Sequence, residues 1–516
     1  MPEIQMDFPD ELSHFDYLLF RGESNPSTRS CLLSVMTLET SPDFSELTHA
    51  VERASRLFIR LRQKVVEPSK NYVAPRWVID PDFDMSYHLR HVRIASPGDQ
   101  QALLTLANQL NATPFDVCRP LWELILVDGL NMKEAKSAVI FKLHHSVTDG
   151  VGATILLQQL LESSLDAPAR EMPLLPVPED IDPDEVTKLG QRKAIGQLLP
   201  STRSNIDWGI KFIRNSLSKP KDALGGVLSY RESVKRVMGN SGLHNSPLLS
   251  GRSLSRNLGF IEVPVAKLKD STKSANGTIN DGFLAAVSIG LNKYHESNMV
   301  DIEQLSISMP INIRKSDDGT GGNHFVGARV NLPLNETEPV ASIHKINKAV
   351  NQAKDEPAAL LLNHLMPVLS LLSKESIFDV VNKVTLPDIQ LSNVQGHPEP
   401  MYLAGCKVTK LLPFGPTPGV AAMITMVSYN STCFVGISCD SAAIKDFELF
   451  KRCLEFGFDQ VMKVTDSAPK KKKVAKKKGG GNPTATQHSK KPTSSDAKKP
   501  TKTSIKKADD AGKKKS

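Results

Sequence analysis

The residues with the clearest chemical content are His144-His145-Ser146-Val147-Thr148-Asp149-Gly150. In a chain of 516 residues a chance HHxxxDG is expected on the order of one time in a thousand. The run Ser137 to His145 reads as an almost unbroken apolar strand, and Val151 to Glu162 reads as a helix. An imidazole at the end of a rigid strand, facing a polar turn, can take a proton from a bound hydroxyl or thiol near neutral pH. Gly150 leaves room for close approach of backbone or ligand. Asp149 either accepts backbone hydrogen bonds at the start of the helix or pairs with a distant Arg, and both uses orient the turn. The plainer alternative is that both histidines are satisfied core residues and Asp149 only caps a helix.

Adjacent strand residues point to opposite faces, so His144 and His145 are poorly placed to chelate one ion. No HExxH, GxSxG or GxxxxGK[ST] pattern accompanies them, so no metal site, serine nucleophile or phosphate loop is expected. Asn280-Asp281, at the start of a helix read over Asn280 to Tyr294, suits a cap as well as a site. Pro120-Leu121-Trp122 reads as a proline and an aromatic anchor entering the strand Glu123 to Val127, or as part of a substrate-lining wall.

The elements that must position these residues fall into two groups. In the first are a short helix over Ser13 to Phe20, a strand over Ser30 to Leu38 and an amphipathic helix over Asp43 to Lys64, whose Arg60, Arg62 and Lys64 suit the negative end of its dipole. Strands Val73 to Ile79 and His88 to Ile94 and a helix over Asp99 to Leu110 follow. The second group has strands Leu258 to Val263, Gln304 to Met309, Phe325 to Leu332, Gly419 to Tyr429 and Thr432 to Cys439, with helices Asn280 to Tyr294, Val340 to Ala353 and Lys445 to Met462. This predicts a first α/β domain over 1–165, a linker with some helix over 166–250, a second α/β domain over 251–466 and a disordered Lys-rich tail over 467–516.

The net charge of +8 is an average of unlike parts. The tail carries 17 Lys against 3 Asp, whereas residues 1–466 carry 47 basic and 53 acidic side chains. A mildly acidic body therefore bears a strongly basic extension. Lys without Arg or aromatic residues offers neither bidentate base readout nor stacking, which favours an anionic lipid surface over specific nucleic acid as the tail's partner. The six cysteines show no CxxC pair, and Met1 to Asp16 lacks a secretory pattern, so reduced thiols in a cytoplasmic setting are expected. The longest apolar run, Ala358 to Leu372, is interrupted by Asn363, His364 and Pro367, so membrane association is expected to be peripheral.

At HHSVTDG the chain resembles the bacterial wax ester synthase/diacylglycerol acyltransferase family, within the superfamily of chloramphenicol acetyltransferases and peptide-synthetase condensation domains. The accompanying elements are RPLWELILVDG, TINDGFLAAV, Pro310 and Arg314 in SMPINIR, Gly322-Asn323 in GGNHFVGARVNLP, and Ser392-Asn393-Val394 in LSNVQGHPEPMYLAG. LSHFDYLLFRGE and RWVIDPDFDMSYHLRHV also look like it, and the resemblance spans roughly 11–464. Gln395-Gly396-His397-Pro398 departs from the family's usual proline-glycine-proline run, which bears on acceptor selectivity.

The resemblance implies two chloramphenicol acetyltransferase-like mixed α/β domains with the site in a tunnel between them. It implies an acyl-CoA-dependent O-acyltransferase that makes triacylglycerol from diacylglycerol or wax esters from long-chain alcohols, with acyl-CoA as co-substrate and no other cofactor. His145 would be the general base, His144 its neighbour, and Asp149 and Gly150 would shape the turn. Asn280 and Asp281 would approach from the other domain, with Asn280 a candidate oxyanion donor. Work at a membrane or lipid-body surface is implied. A condensation-type enzyme using carrier-protein thioesters and an inactive lipid-body binding protein are the rival readings.

Overall fold

Strand-forming runs with one or both faces apolar are assembled into two mixed sheets. A computed structural model describes residues 8–69, 73–168, 170–178, 181–197, 244–312, 325–354 and 387–464. Arg314, Gly322, Asn323, the run Ala358 to Leu372 and the basic tail lie outside the described residues. The first half contains α1 (His14–Gly22), β1 (Cys31–Leu38), α2 (Phe44–Leu57), β2 (Gln63–Val66), β3 (Arg76–Ile79), α3 (Met85–His88) and β4 (Leu89–Arg93). Then come α4 (Gln100–Ala112), β5 (Trp122–Asp128), β6 (Ser137–His144), α5 (Gly150–Leu160) and α6 (Pro183–Gln197), the last within the expected linker.

The second half contains β7 (Arg256–Pro264), α7 (Val265–Ser274), α8 (Ile279–Ser297), β8 (Gln304–Asn312), β9 (Phe325–Pro333), α9 (Pro339–Lys354) and β10 (Ile389–Val394). It ends with β11 (Tyr402–Leu403), β12 (Cys406–Phe414), β13 (Ala422–Tyr429), β14 (Thr432–Asp440) and α10 (Phe447–Met462). Among the described residues one sheet runs β11-β12-β1-β6-β5-β4 and the other β7-β14-β13-β10-β8-β9, with β2-β3 a separate hairpin.

The amphipathic helix expected over Asp43 to Lys64 is shorter. It stops at Leu57 because Phe58, buried in the core, leaves helical geometry at φ −93 and ψ 80. A 3-10 turn over Ile59–Arg62 and β2 follow. Arg60 therefore does not cap a dipole: it is buried with its guanidinium over the Trp77 ring and bonded to the Pro9 carbonyl, while Arg62 pairs with Glu52.

Residues 402–414 produce the larger departure from the sequence reading, which saw no strand there. They cross back and complete the sheet of the first half, with β12 antiparallel to β1 from Leu33↔Phe414 to Leu38↔Val408. The crossing is tight. A Cβ on Gly436 of β14 would come 1.6 Å from the Pro413 carbonyl oxygen, so only glycine lets β12 pass this close. Each sheet has its own core: Val35, Leu126, Ile140 and Ala54 in the first, and Leu284, Ile307, Ile424 and Phe458 in the second.

α8 is buried along almost its whole length, from Asp281 to Leu291, as expected of a helix that is apolar all round. No helix among the described residues is long and apolar enough to cross a membrane. The six cysteines are free, and five of them are buried.

Candidate active site

Strand pairing carries the two histidines to the end of β6 and holds them on both sides. The His144 N–H donates to the Leu121 carbonyl at 3.0 Å, and the His145 N–H donates to the Ser30 carbonyl at 2.8 Å. The alternation of a strand then separates their rings. His145 is half-buried and lines a cavity of about 230 Å³ between the two sheets. His144 is fully buried on the other side, edge-on to Phe115.

The His144 Nδ1 accepts the Ser146 backbone N–H at 3.1 Å, with the Ser146 Oγ 2.7 Å away. That leaves the ring proton on Nε2, which faces the Glu23 carboxylate at 3.6 Å. Burial pushes the His144 imidazole down to about 3, and it raises Glu23 above the ordinary carboxylate range. His144 is thus neutral and the contact is not an ion pair. Glu23 is bound by the Phe115 N–H at 2.8 Å and lies 3.8 Å from Arg29. Glu23 ends the segment LSHFDYLLFRGE, but nothing in the local sequence marks it as the neighbour of His144.

Behind the turn, Lys142 is wholly buried. Its ammonium donates to the Thr113 carbonyl at 2.9 Å and lies 3.2 Å from Glu123, and desolvation lowers its pKa.

Asp149 is the N-cap of α5: its carboxylate accepts the Gly152 N–H at 2.9 Å. This is the capping use, and it leaves Asp149 on the cavity wall next to Gly150. A Cβ on Gly150 would come 3.0 Å from the Val394 side chain, so the glycine sets how closely the two halves meet.

Asn280 and Asp281 do not line this cavity. Asp281 closes a capping box with Thr278 and also accepts from the Asn347 amide at 2.9 Å. Asn280 meets the cavity through Asn393, whose amide donates to its side-chain oxygen at 3.4 Å while itself lining the wall.

Pro120, Leu121 and Trp122 are buried, and none of them lines the cavity. The Trp122 indole donates to the Leu61 carbonyl at 2.7 Å and stacks on His88 with ring centroids 4.6 Å apart. This arrangement anchors β5 in the core and supports Phe141, a cavity residue, edge-on at 6.2 Å.

The remaining walls come from the second half and from the crossover: Pro310 of β8, Ser392 to Val394 of β10, Leu411 to Phe414 of β12 in part, and Met423 to Tyr429 of β13 in part. Gly396 and His397, of the run that departs from the family pattern, are also on the wall. β12 was recoverable only from its weak alternation, with Cys406 and Val408 buried and Lys407 and Thr409 half-buried. Among the described residues no group of three His, Cys, Asp or Glu side chains is arranged to hold a metal ion.

This arrangement offers a proton-accepting imidazole on a rigid turn, inside a mostly hydrocarbon cavity that both halves build. Solved structures with the same architecture include the wax ester synthase/diacylglycerol acyltransferase from Marinobacter aquaeolei VT8, at TM-score 0.57 and 18% identity, covering 87% of this chain and 98% of that one. The first condensation domain of the calcium-dependent antibiotic synthetase matches at TM-score 0.57 and 12% identity, over 90% of this chain and all of that one. At such identities the likeness is one of fold.

Sequence relatives go further. A provisionally named diacylglycerol O-acyltransferase of Mycobacterium tuberculosis is 36% identical over 453 residues, 88% of this chain and 92% of that protein. Another from the same species is 25% identical over 83% of this chain and 92% of its own length. The family model for the wax ester synthase/diacylglycerol acyltransferase catalytic domain matches residues 12–283, and that for the C-terminal domain matches 321–462. The two matched stretches are the ones that meet around His145, and the chain belongs to the wax ester synthase/diacylglycerol acyltransferase family.

Proposed function

We propose that this chain transfers the acyl group of an acyl-CoA to the free hydroxyl of a diacylglycerol, with long-chain alcohols as a second class of acceptor. Membership of the family makes it an acyl-CoA-dependent acyltransferase of neutral lipid synthesis. The observation that carries the site assignment is that His145, and not His144, presents its ring to the cavity between the sheets.

In this reading the acceptor oxygen attacks the thioester carbonyl carbon while its proton passes to the His145 imidazole. The new C–O bond gives an oxyanion intermediate. Its collapse breaks the C–S bond, and the departing thiolate takes the proton back from His145, so no acyl-enzyme forms. Asp149 orders the turn as a helix cap, and Gly150 leaves room for the Val394 side chain of the facing half. Acyl-CoA is the co-substrate and no further cofactor enters the scheme. The hydrocarbon walls favour long acyl chains and keep water from the thioester.

The test is ester formation by the purified protein from palmitoyl-CoA with diacylglycerol, hexadecanol or short alcohols. His145→Ala should lower turnover about a hundredfold or more, as for loss of a general base. Wild-type ester formation by that variant would reject the mechanism.

The reading extends to where the enzyme works. The net +14 of residues 467–516 supports adhesion to anionic lipid, at about 1 kcal/mol per Lys close to the surface. Deleting those residues should abolish flotation with anionic vesicles and leave catalysis on dispersed substrate intact. Unchanged flotation would reject the tail's role alone.

A further inference from the structure

The cavity wall carries two hydroxyls that no described residue uses. Ser34 Oγ and Thr425 Oγ1 are buried without a hydrogen-bond partner among the described residues, and both residues line the cavity. Thr425 is only 6% exposed. They belong to opposite sheets yet lie at one level. Ser34 of β1 pairs with Pro413 of β12 and Phe141 of β6. Thr425 of β13 pairs with Ser392 of β10 and Gly436 of β14. The two rows touch where the Pro413 carbonyl lies against Gly436.

Ser392 lines the cavity as well, in register with Thr425, whereas the other hydroxyls on the wall, Thr154 and Tyr429, donate to the Gly150 and Val408 carbonyls. Folded proteins pair nearly all their buried polar atoms, so two unused hydroxyls facing one cavity mark a place for ligand oxygens. The position suits them. Ser392 is two residues, about 7 Å along a strand, from Val394, which packs beside Gly150 of the His145 turn. A long-chain alcohol brings one oxygen, the one that reacts. A diacylglycerol brings two ester groups within a few bonds of its free hydroxyl.

Resting on the proposed acyltransfer, we infer that Ser34 and Thr425 form a polar subsite that takes the ester oxygens of a diacylglycerol acceptor, making the cavity selective for diacylglycerol over simple alcohols. The subsite determines which acceptor is used and has no part in proton transfer.

The experiment measures kcat/KM of the full chain for dioleoylglycerol and for hexadecanol, each with palmitoyl-CoA, in wild type, Thr425→Val, Ser34→Ala and Thr425→Ser. The ratio of the two values should fall about tenfold in Thr425→Val and in Ser34→Ala, equivalent to 1.4 kcal/mol. Thr425→Ser, which keeps a hydroxyl, should retain most of the wild-type ratio. In urea, Thr425→Val should unfold no earlier than wild type, because the hydroxyl it removes has no partner among the described residues. Equal losses on both acceptors, or a Thr425→Ser ratio as low as that of Thr425→Val, would overturn the subsite while leaving the acyltransferase reading in place. A wild type that esterifies neither acceptor would overturn both.

Discussion

Replacing His144 by Phe separates the two adjacent histidines by their physics. The ring volume is retained, but the acceptor of the Ser146 N–H is lost. A buried N–H left unpaired costs about 1–3 kcal/mol. The Glu23 contact at 3.6 Å is too long to add much.

The pH dependence is more diagnostic. His144 is held near 3, against an ordinary value of 6.5. Between those values the unfolded chain binds a proton that the folded chain refuses, so stability falls as pH falls. From pH 7 to pH 5 this one group removes about 2 kcal/mol. His88, pushed down to about 4 by burial, contributes a loss of similar size.

Urea unfolding at pH 7 and pH 5 should therefore show His144→Phe less stable than wild type at pH 7, and less acid-sensitive by about 2 kcal/mol. Turnover should fall about tenfold through displacement of the turn, well short of the loss in His145→Ala. Identical acid sensitivity in the two proteins would refute the neutral, buried state of His144. Stability unchanged with activity as low as in His145→Ala would place His144 in the chemistry.

Gly150→Ala should reduce kcat/KM several-fold, because its Cβ meets Val394 at 3.0 Å. Val394→Ala should restore activity in the double variant, and a failure of that rescue would deny the contact its role. Trp122→Phe leaves the Leu61 carbonyl without its indole donor and should cost about 1–2 kcal/mol in urea, with kcat within about twofold of wild type; a large change in acceptor preference would instead return Trp122 to the substrate wall. Asp149→Ala removes the cap of α5 and should cost about 1 kcal/mol, which Asp149→Asn should largely recover because an amide oxygen also accepts the Gly152 N–H. Equal unfolding midpoints for the three proteins would show that the cap carries no stability.

Much of the first half was legible because its signals are local. Ser137–His144 is buried at every position and reads as a strand without reference to its neighbours. Asp149 followed by Gly150 and an apolar helix reads as a helix start, and the side chain does cap it. The end of α2 was not legible, because Arg60 and Arg62 continue a helical pattern that the burial of Phe58 interrupts. β12 is not legible locally because its alternation is weak and its partner, β1, lies 370 to 381 residues earlier in the chain, from Leu38↔Val408 to Leu33↔Phe414. Asn280 and Asp281 looked like one unit from their adjacency, yet one is tied into a capping box and the other is held by Asn393 at the cavity edge.

Residue types and spacing by themselves pointed to a proton-transferring imidazole: two histidines, an acid and a glycine on a strand-turn-helix unit, in a chain whose net positive charge is confined to its tail. Tertiary structure decided which histidine lines the cavity, because the side chosen by a strand residue depends on what packs against each face. It also decided what surrounds that histidine. The cavity around His145 is completed by β10, β12 and β13, and hydroxyls from both sheets, Ser34 of β1 and Thr425 of β13, line it without a partner among the described residues. Such a neighbourhood is a sum of long-range pairings, each one set by burial of both partners at once, and no window of local sequence contains it.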